Sequence, residues 1–112
     1  MIDRARFRGL LHRVLQAQRS LIDRYPDDLQ LHNDQALTFL MMGRDDDARR
    51  IFENVLKISP TNGVAQAYYG YLLKLGGDLD NAVLYMRKGL RAASDMIADP
   101  RYDIYSLIKE TV

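Results

Sequence analysis

Apolar residues recur along this chain at intervals of three and four. Leu29, Ala36, Phe39, Leu40 and Met41 precede Gly43, and Ala48, Ile51, Phe52, Val55 and Leu56 follow it. Each set makes one stripe along a helix of 3.6 residues per turn. Gly43 supplies the stop between them, because glycine enters a left-handed backbone without steric cost. Asp45 or Asp46 is placed to accept the free N–H groups of the helix that follows. The same grammar returns later. A helix is predicted from about Gly63 to Leu75, with Ala67, Tyr68, Gly70, Tyr71 and Leu72 on it. Gly76-Gly77-Asp78 turns the chain, and Leu79 to about Ala93 forms the partner helix. Pro60 closes the preceding helix, and Thr61 or Asn62 caps the next one.

These two passages are the same unit written twice. The offset from Pro26 to Pro60 also carries Ala36 to Gly70, Gly43 to Gly77, Ala48 to Ala82, Phe52 to Met86 and Leu56 to Leu90. The matches fall at small, large apolar and turn positions, which packing constrains most. Before Pro26, Leu11, Val14, Leu15, Leu21, Ile22 and Tyr25 predict one helix, the second of an incomplete first unit. After Pro100, Tyr102, Ile104, Tyr105, Leu107 and Ile108 predict the opening helix of a fourth. The expected architecture is all-α, a single domain over 1–112. It divides into a half repeat at 1–26, full repeats at 27–60 and 61–96, and a partial repeat or capping helix at 97–112. Helix hairpins of this kind bury their apolar faces against neighbouring units.

Helix pairs at this period, with this order of small, aromatic and proline positions, resemble tetratricopeptide repeats. The resemblance implies an antiparallel helix-hairpin solenoid of two full repeats flanked by half repeats. The tryptophan frequent early in that repeat is replaced here by His32 and Gln66. A narrower likeness runs over roughly residues 9 to 102. The Pro26–Asp28 opening, Asn33-Asp34, the Gly43–Ala48 turn, Val55-Leu56, Pro60, Asn62-Gly63, Ala65, Tyr69-Gly70 and Leu73-Lys74 resemble the tetratricopeptide segment of aspartyl/asparaginyl β-hydroxylases. In that family the repeats stand in the endoplasmic reticulum lumen, ahead of an iron- and 2-oxoglutarate-dependent domain. That domain hydroxylates Asp or Asn in epidermal-growth-factor-like domains, and the repeats help form the substrate channel. The resemblance therefore implies an excised segment or shortened relative, without the parent's reaction. It implies a lumenal location if the chain is part of that family, and a cytoplasmic one otherwise.

Composition narrows the chemistry. The 112 residues contain no cysteine, which removes disulfides, thiolate metal sites and a cysteine nucleophile. The longest uncharged stretch, Ile58 to Leu73, includes Pro60, Asn62 and Gln66 and falls short of the roughly 20 apolar residues a membrane span needs. No membrane insertion by this segment is expected. His32-Asn33-Asp34 spells part of a non-haem iron triad, but residues two apart on a helix diverge by about 200°, and His12 is the only other histidine. Asp45-Asp46-Asp47 lacks the alternating oxygen ligands of a calcium loop, and a helix N-terminus accounts for its charge. No catalytic residue, metal site or cofactor is expected.

Charge is uneven. Residues 1–24 hold six arginines against Asp3 and Asp23, a balance of +4, while the rest of the chain stands at −3. Aromatic residues are sparse there, with only Phe7 and the nearby Tyr25, so a solvated helix face, or the junction with missing upstream sequence, is expected rather than a nucleic-acid platform.

The function expected is a non-catalytic protein- or peptide-interaction module. By the resemblance, it is like the substrate-positioning repeats of the hydroxylase. The first helices of the pairs would line a groove with Gln30, Asn33, Asp34, Leu37 and Met41, then Val64, Ala67, Tyr68, Tyr71 and Lys74. Tyr69 is expected in the core against Ala82 and Met86, with Tyr68 and Tyr71 on the opposite, open side. Epidermal-growth-factor-like domains are the partner that the resemblance implies. The alternative is a structural scaffold that self-associates into a homodimer through open solenoid ends and has no dedicated peptide ligand.

Overall fold

The structure, a computed structural model, describes residues 3–92. The expected capping helix at 97–112, with Tyr102 and Tyr105, lies outside the described residues, as does the end of the 61–96 repeat. Five α-helices make up the described chain: α1 (Arg4–Arg24), α2 (Leu29–Met41), α3 (Asp45–Ile58), α4 (Gly63–Leu75) and α5 (Leu79–Ala92). No strand occurs among the described residues. The protein is all-α.

The period found in the sequence is also the period of the backbone. The offset from Pro26 to Pro60 carries both limits of α2 onto those of α4, and both limits of α3 onto those of α5. Gly43 and Gly77 both take positive φ, 75° and 89°, at the turn inside each hairpin. Around them the hydrogen bonds repeat: Arg44 N–H donates to the Phe39 carbonyl at 2.8 Å, and Asp78 N–H to the Leu73 carbonyl at 2.9 Å. The helix starts match too. Gln30 N–H donates to the Asp28 carboxylate, and Ala65 N–H to the Asn62 side-chain oxygen. Asn62, and not Thr61, is therefore the cap.

The acidic run behind Gly43 sits inside the first turn of α3 rather than at its cap. Its charges meet the positive end of the helix dipole there. Asp47 accepts a 2.8 Å hydrogen bond from Arg44 Nε, and the Arg44 guanidinium lies 4.6 Å from the centre of the Phe39 ring. Together these hold the turn from both sides.

The chain divides into two compact units, Met1–Ile51 and Phe52–Val112, with the division inside α3. In the first, α1 packs on α2, and Leu11, Leu15, Ala36, Phe39 and Ala48 are buried. In the second, α4 packs on α5. A Cβ added at Gly70 would lie 2.9 Å from the Ala82 carbonyl oxygen, and one at Gly89 would lie 2.7 Å from the Ala67 nitrogen. The helices therefore cross backbone to backbone, which is why small residues occupy both sides of the crossing. Phe52, Val55, Leu72 and Met86 are buried in the same unit.

Candidate functional site

The residues expected to bind a ligand sit on the first helix of each hairpin. On α2, Gln30, Asn33, Asp34, Leu37 and Met41 follow the three-and-four spacing that makes one helix face. Gln30 and Met41 are exposed, and Asp34 and Leu37 are half-buried. Asn33 is 2% exposed, so its side chain belongs to the interior and a variant there would perturb folding. Thr38, also buried, donates its hydroxyl to the Asp34 carbonyl one turn back.

On α4 the corresponding face is mostly interior. Val64, Ala67 and Tyr68 are buried, whereas Tyr71 and Lys74 keep partial exposure. The sequence explains the difference. α4 runs Gly63–Leu75 with one charged residue, Lys74, and is apolar around most of its circumference. A helix of that composition is buried on more than one side.

The expected roles of the neighbouring tyrosines are corrected. Tyr68, only 7% exposed, is the core residue, and its ring stacks on Phe52 at 6.0 Å between centroids. Gly70 faces Ala82 and Met86 at the helix crossing. Tyr69, half-buried, meets Tyr85 edge to face at 5.2 Å. Lys88 Nζ lies 5.5 Å from the centre of the Tyr85 ring. Glu53, Leu56 and Lys57 join Tyr69 and Tyr85 around a shallow depression of about 200 Å³. A glycine–alanine contact fixes a helix face more strictly than a tyrosine does, because it permits no other residue to approach as closely.

Sequence reasoning missed a pair of anchors. His32 Nε2–H donates to the Pro26 carbonyl at 2.7 Å, and Gln66 Nε2–H donates to the Pro60 carbonyl at 2.8 Å. The two positions are repeat equivalents and stand where the tryptophan of the resembled repeat would be. Each ties the second turn of a first helix to the turn that precedes it. The pairing of a long polar side chain with the proline six residues earlier was the available signal.

In the His32-Asn33-Asp34 tripeptide the His32 Nε2–H is directed at the Pro26 carbonyl, and Asn33 is buried. Among the described residues, no three His, Asp or Glu side chains come together in a way that could hold a metal ion. No described helix is long and apolar enough to cross a membrane.

Comparison with known proteins agrees with the narrower likeness. Over 100 residues, 89% of this chain, it is 29% identical to the aspartyl/asparaginyl beta-hydroxylase of Homo sapiens, of which those residues are 13%. The Mus musculus aspartyl/asparaginyl beta-hydroxylase is 28% identical over 100 residues, 14% of its length. No family model matches the chain. The chain is homologous to a segment of these hydroxylases and spans about one seventh of the relatives it matches.

Proposed function

We propose that this homologue of a hydroxylase segment is a non-catalytic protein-interaction module of tetratricopeptide type, which holds a polypeptide for a reaction carried out elsewhere. The observation that carries the reading is the extent of the homology. It takes in 89% of this chain and 13% of the human relative, so the matched residues form a small part of that protein. The repeat of the backbone, α2–α3 returning as α4–α5, supports the tetratricopeptide assignment.

The contact residues are those that keep accessible surface on the expected face of each first helix, taken separately. On α2 these are Gln30, Asp34, Leu37 and Met41, and on α4 they are Tyr71 and Lys74. Leu37 and Tyr71 are repeat equivalents. An apolar or aromatic side chain at that place offers contact area, with tyrosine losing little rotamer freedom. Asn33 supports the α2 face from beneath, and Val64, Ala67 and Tyr68 support that of α4. The relatives' name states action on aspartyl and asparaginyl residues, and an epidermal-growth-factor-like domain bearing such residues is the ligand proposed. By the same homology, the endoplasmic reticulum lumen is the proposed location.

Calorimetric titration of the 112-residue chain with an epidermal-growth-factor-like domain tests this. Binding should fall about tenfold in the Leu37→Asp/Tyr71→Ala variant, the scale of an anchor residue's removal. Ile58→Asp, at an exposed site at the end of α3, should bind as the parent does. Equal binding by parent and double variant, with circular dichroism unchanged, would refute the surface. Addition of iron and 2-oxoglutarate should leave the domain unmodified by mass spectrometry; hydroxylation would refute the non-catalytic assignment.

A further inference from the structure

The first helix carries an apolar row that nothing in the described structure covers. Phe7, Leu10, Val14 and Leu21 are 45%, 43%, 44% and 41% exposed, and Ala17 between them is exposed as well. Their spacing of three, four, three and four residues is the a and d pattern of a coiled-coil seam. The opposite-leaning row, Leu11 and Leu15, is buried. α1 thus has one apolar row in use and a second one open.

The repeat shows what the open row corresponds to. By the repeat offset, Val14 and Leu21 match Ala48 and Val55 in α3, and Ala82 and Gly89 in α5. In α5 that row presses on α4, with Ala82 against Gly70 and Gly89 against Ala67. In α3 the second of these places holds Val55, which is buried. With valine and leucine at both places, the α1 row suits a partner that packs by interlocking side chains at ordinary helix separation.

Charge identifies the partner's chemistry. With Phe7, Val14 and Leu21 at a positions, Arg6 and Arg13 fall at successive g positions on the rim of the seam. Together with Gly9 and Leu10 they line an open depression of about 310 Å³. The positions matching Arg13 in the other second helices are Asp47 and Asn81, so a basic residue at that place is peculiar to α1. The Arg6 guanidinium lies 3.9 Å from the Asp3 carboxylate in an exposed contact, which solvent leaves weak. α1 carries six arginines and one aspartate, so two copies laid along each other would repel.

We propose that the Phe7–Leu21 face of α1 docks an acidic amphipathic helix of another polypeptide. Its apolar side chains would interlock with Phe7, Leu10, Val14, Ala17 and Leu21, and its carboxylates would pair with Arg6 and Arg13. This surface is independent of the α2 and α4 faces proposed above.

The test uses two synthetic helical peptides of about three heptads, with Leu at every a and d position. One has Glu at every e and g position and the other has Lys. Fluorescence anisotropy with the full chain should show the Glu peptide bound at least about tenfold more tightly than the Lys peptide, the preference shrinking as salt rises. Arg6→Glu/Arg13→Glu should invert the preference. That variant keeps its helix, because Arg6 stands at the third helical position, where an acid suits the N-terminus. Leu10→Asp/Val14→Asp should abolish binding of both peptides with circular dichroism unchanged. Equal affinity for the two peptides, or an unaltered preference in the charge-reversal variant, would overturn the proposal. So would tighter binding of a single-stranded oligonucleotide of similar length, or a dimer in sedimentation that Leu10→Asp dissolves.

Discussion

At Gly70 a single methyl group is too much. Its Cβ would come within 2.9–3.0 Å of the Ala82 carbonyl, Met86 Cγ and the Met86 nitrogen, two of which are backbone atoms. Gly70→Ala should therefore cost about 1–3 kcal/mol, the range for an overpacked core contact, as read from the midpoint of urea unfolding. Gly9, in the middle of α1, has nothing within 4 Å of an added Cβ. Gly9→Ala should raise stability by about 0.5–1 kcal/mol through helix propensity alone. Opposite signs from one chemical change separate packing from backbone entropy. The sequence showed Gly43 and Gly77 as turn residues because each follows an apolar stripe and precedes an acidic one. It did not show Gly89, whose neighbours Ala67 and Gly63 are small residues on another helix, and closeness between two small residues leaves no periodic mark. The anchors His32 and Gln66 left a single mark, their place six residues after a proline. Their partners are backbone carbonyls, which have no residue identity to match.

Among the elements, helix boundaries were the most legible feature. α4 occupies Gly63–Leu75 as predicted, and α5 starts at Leu79, where the Gly76-Gly77-Asp78 turn places it. Caps, turn glycines and apolar stripes agree with one another at these ends, and that agreement fixes a boundary better than any single signal. Side-chain facing within α4 was less legible. A helix apolar around most of its surface gives no moment to read, so Tyr68 and Tyr69 were interchangeable in the sequence and only the Gly70 crossing sorts them. The caps make a prediction that tests the repeat itself. Asp28 and Asn62 each accept one N–H in the first turn of a first helix. Asp28→Ala and Asn62→Ala should each lose about 1 kcal/mol in thermal or urea unfolding. Asp27→Ala, beside the first cap but exposed and outside the helix, should change stability by less than about 0.5 kcal/mol.

For the molecule as a whole, the repeat was legible and the accessibility of the proposed ligand surface only partly so. The offset shared by the prolines, turn glycines and small residues dictates paired helices, and the structure reproduces it in φ angles, hydrogen bonds and side-chain anchors. The same period assigns a face to each first helix but is silent on how much of that face stays open. Burial depends on residues from elsewhere in the chain, and four of the ten expected contact residues, Asn33, Val64, Ala67 and Tyr68, proved to be interior. Homology then adds what neither period nor burial supplies, the kind of protein in which a similar segment is found. Chemical-shift mapping of the ¹⁵N-labelled chain against an epidermal-growth-factor-like domain measures the ligand surface directly. Perturbations concentrated at Gln30, Leu37, Met41, Tyr71 and Lys74, and weak along α1, are the predicted result. An unperturbed spectrum, or shifts confined to residues off the α2 and α4 faces, would contradict the assignment of this chain as a polypeptide-binding module.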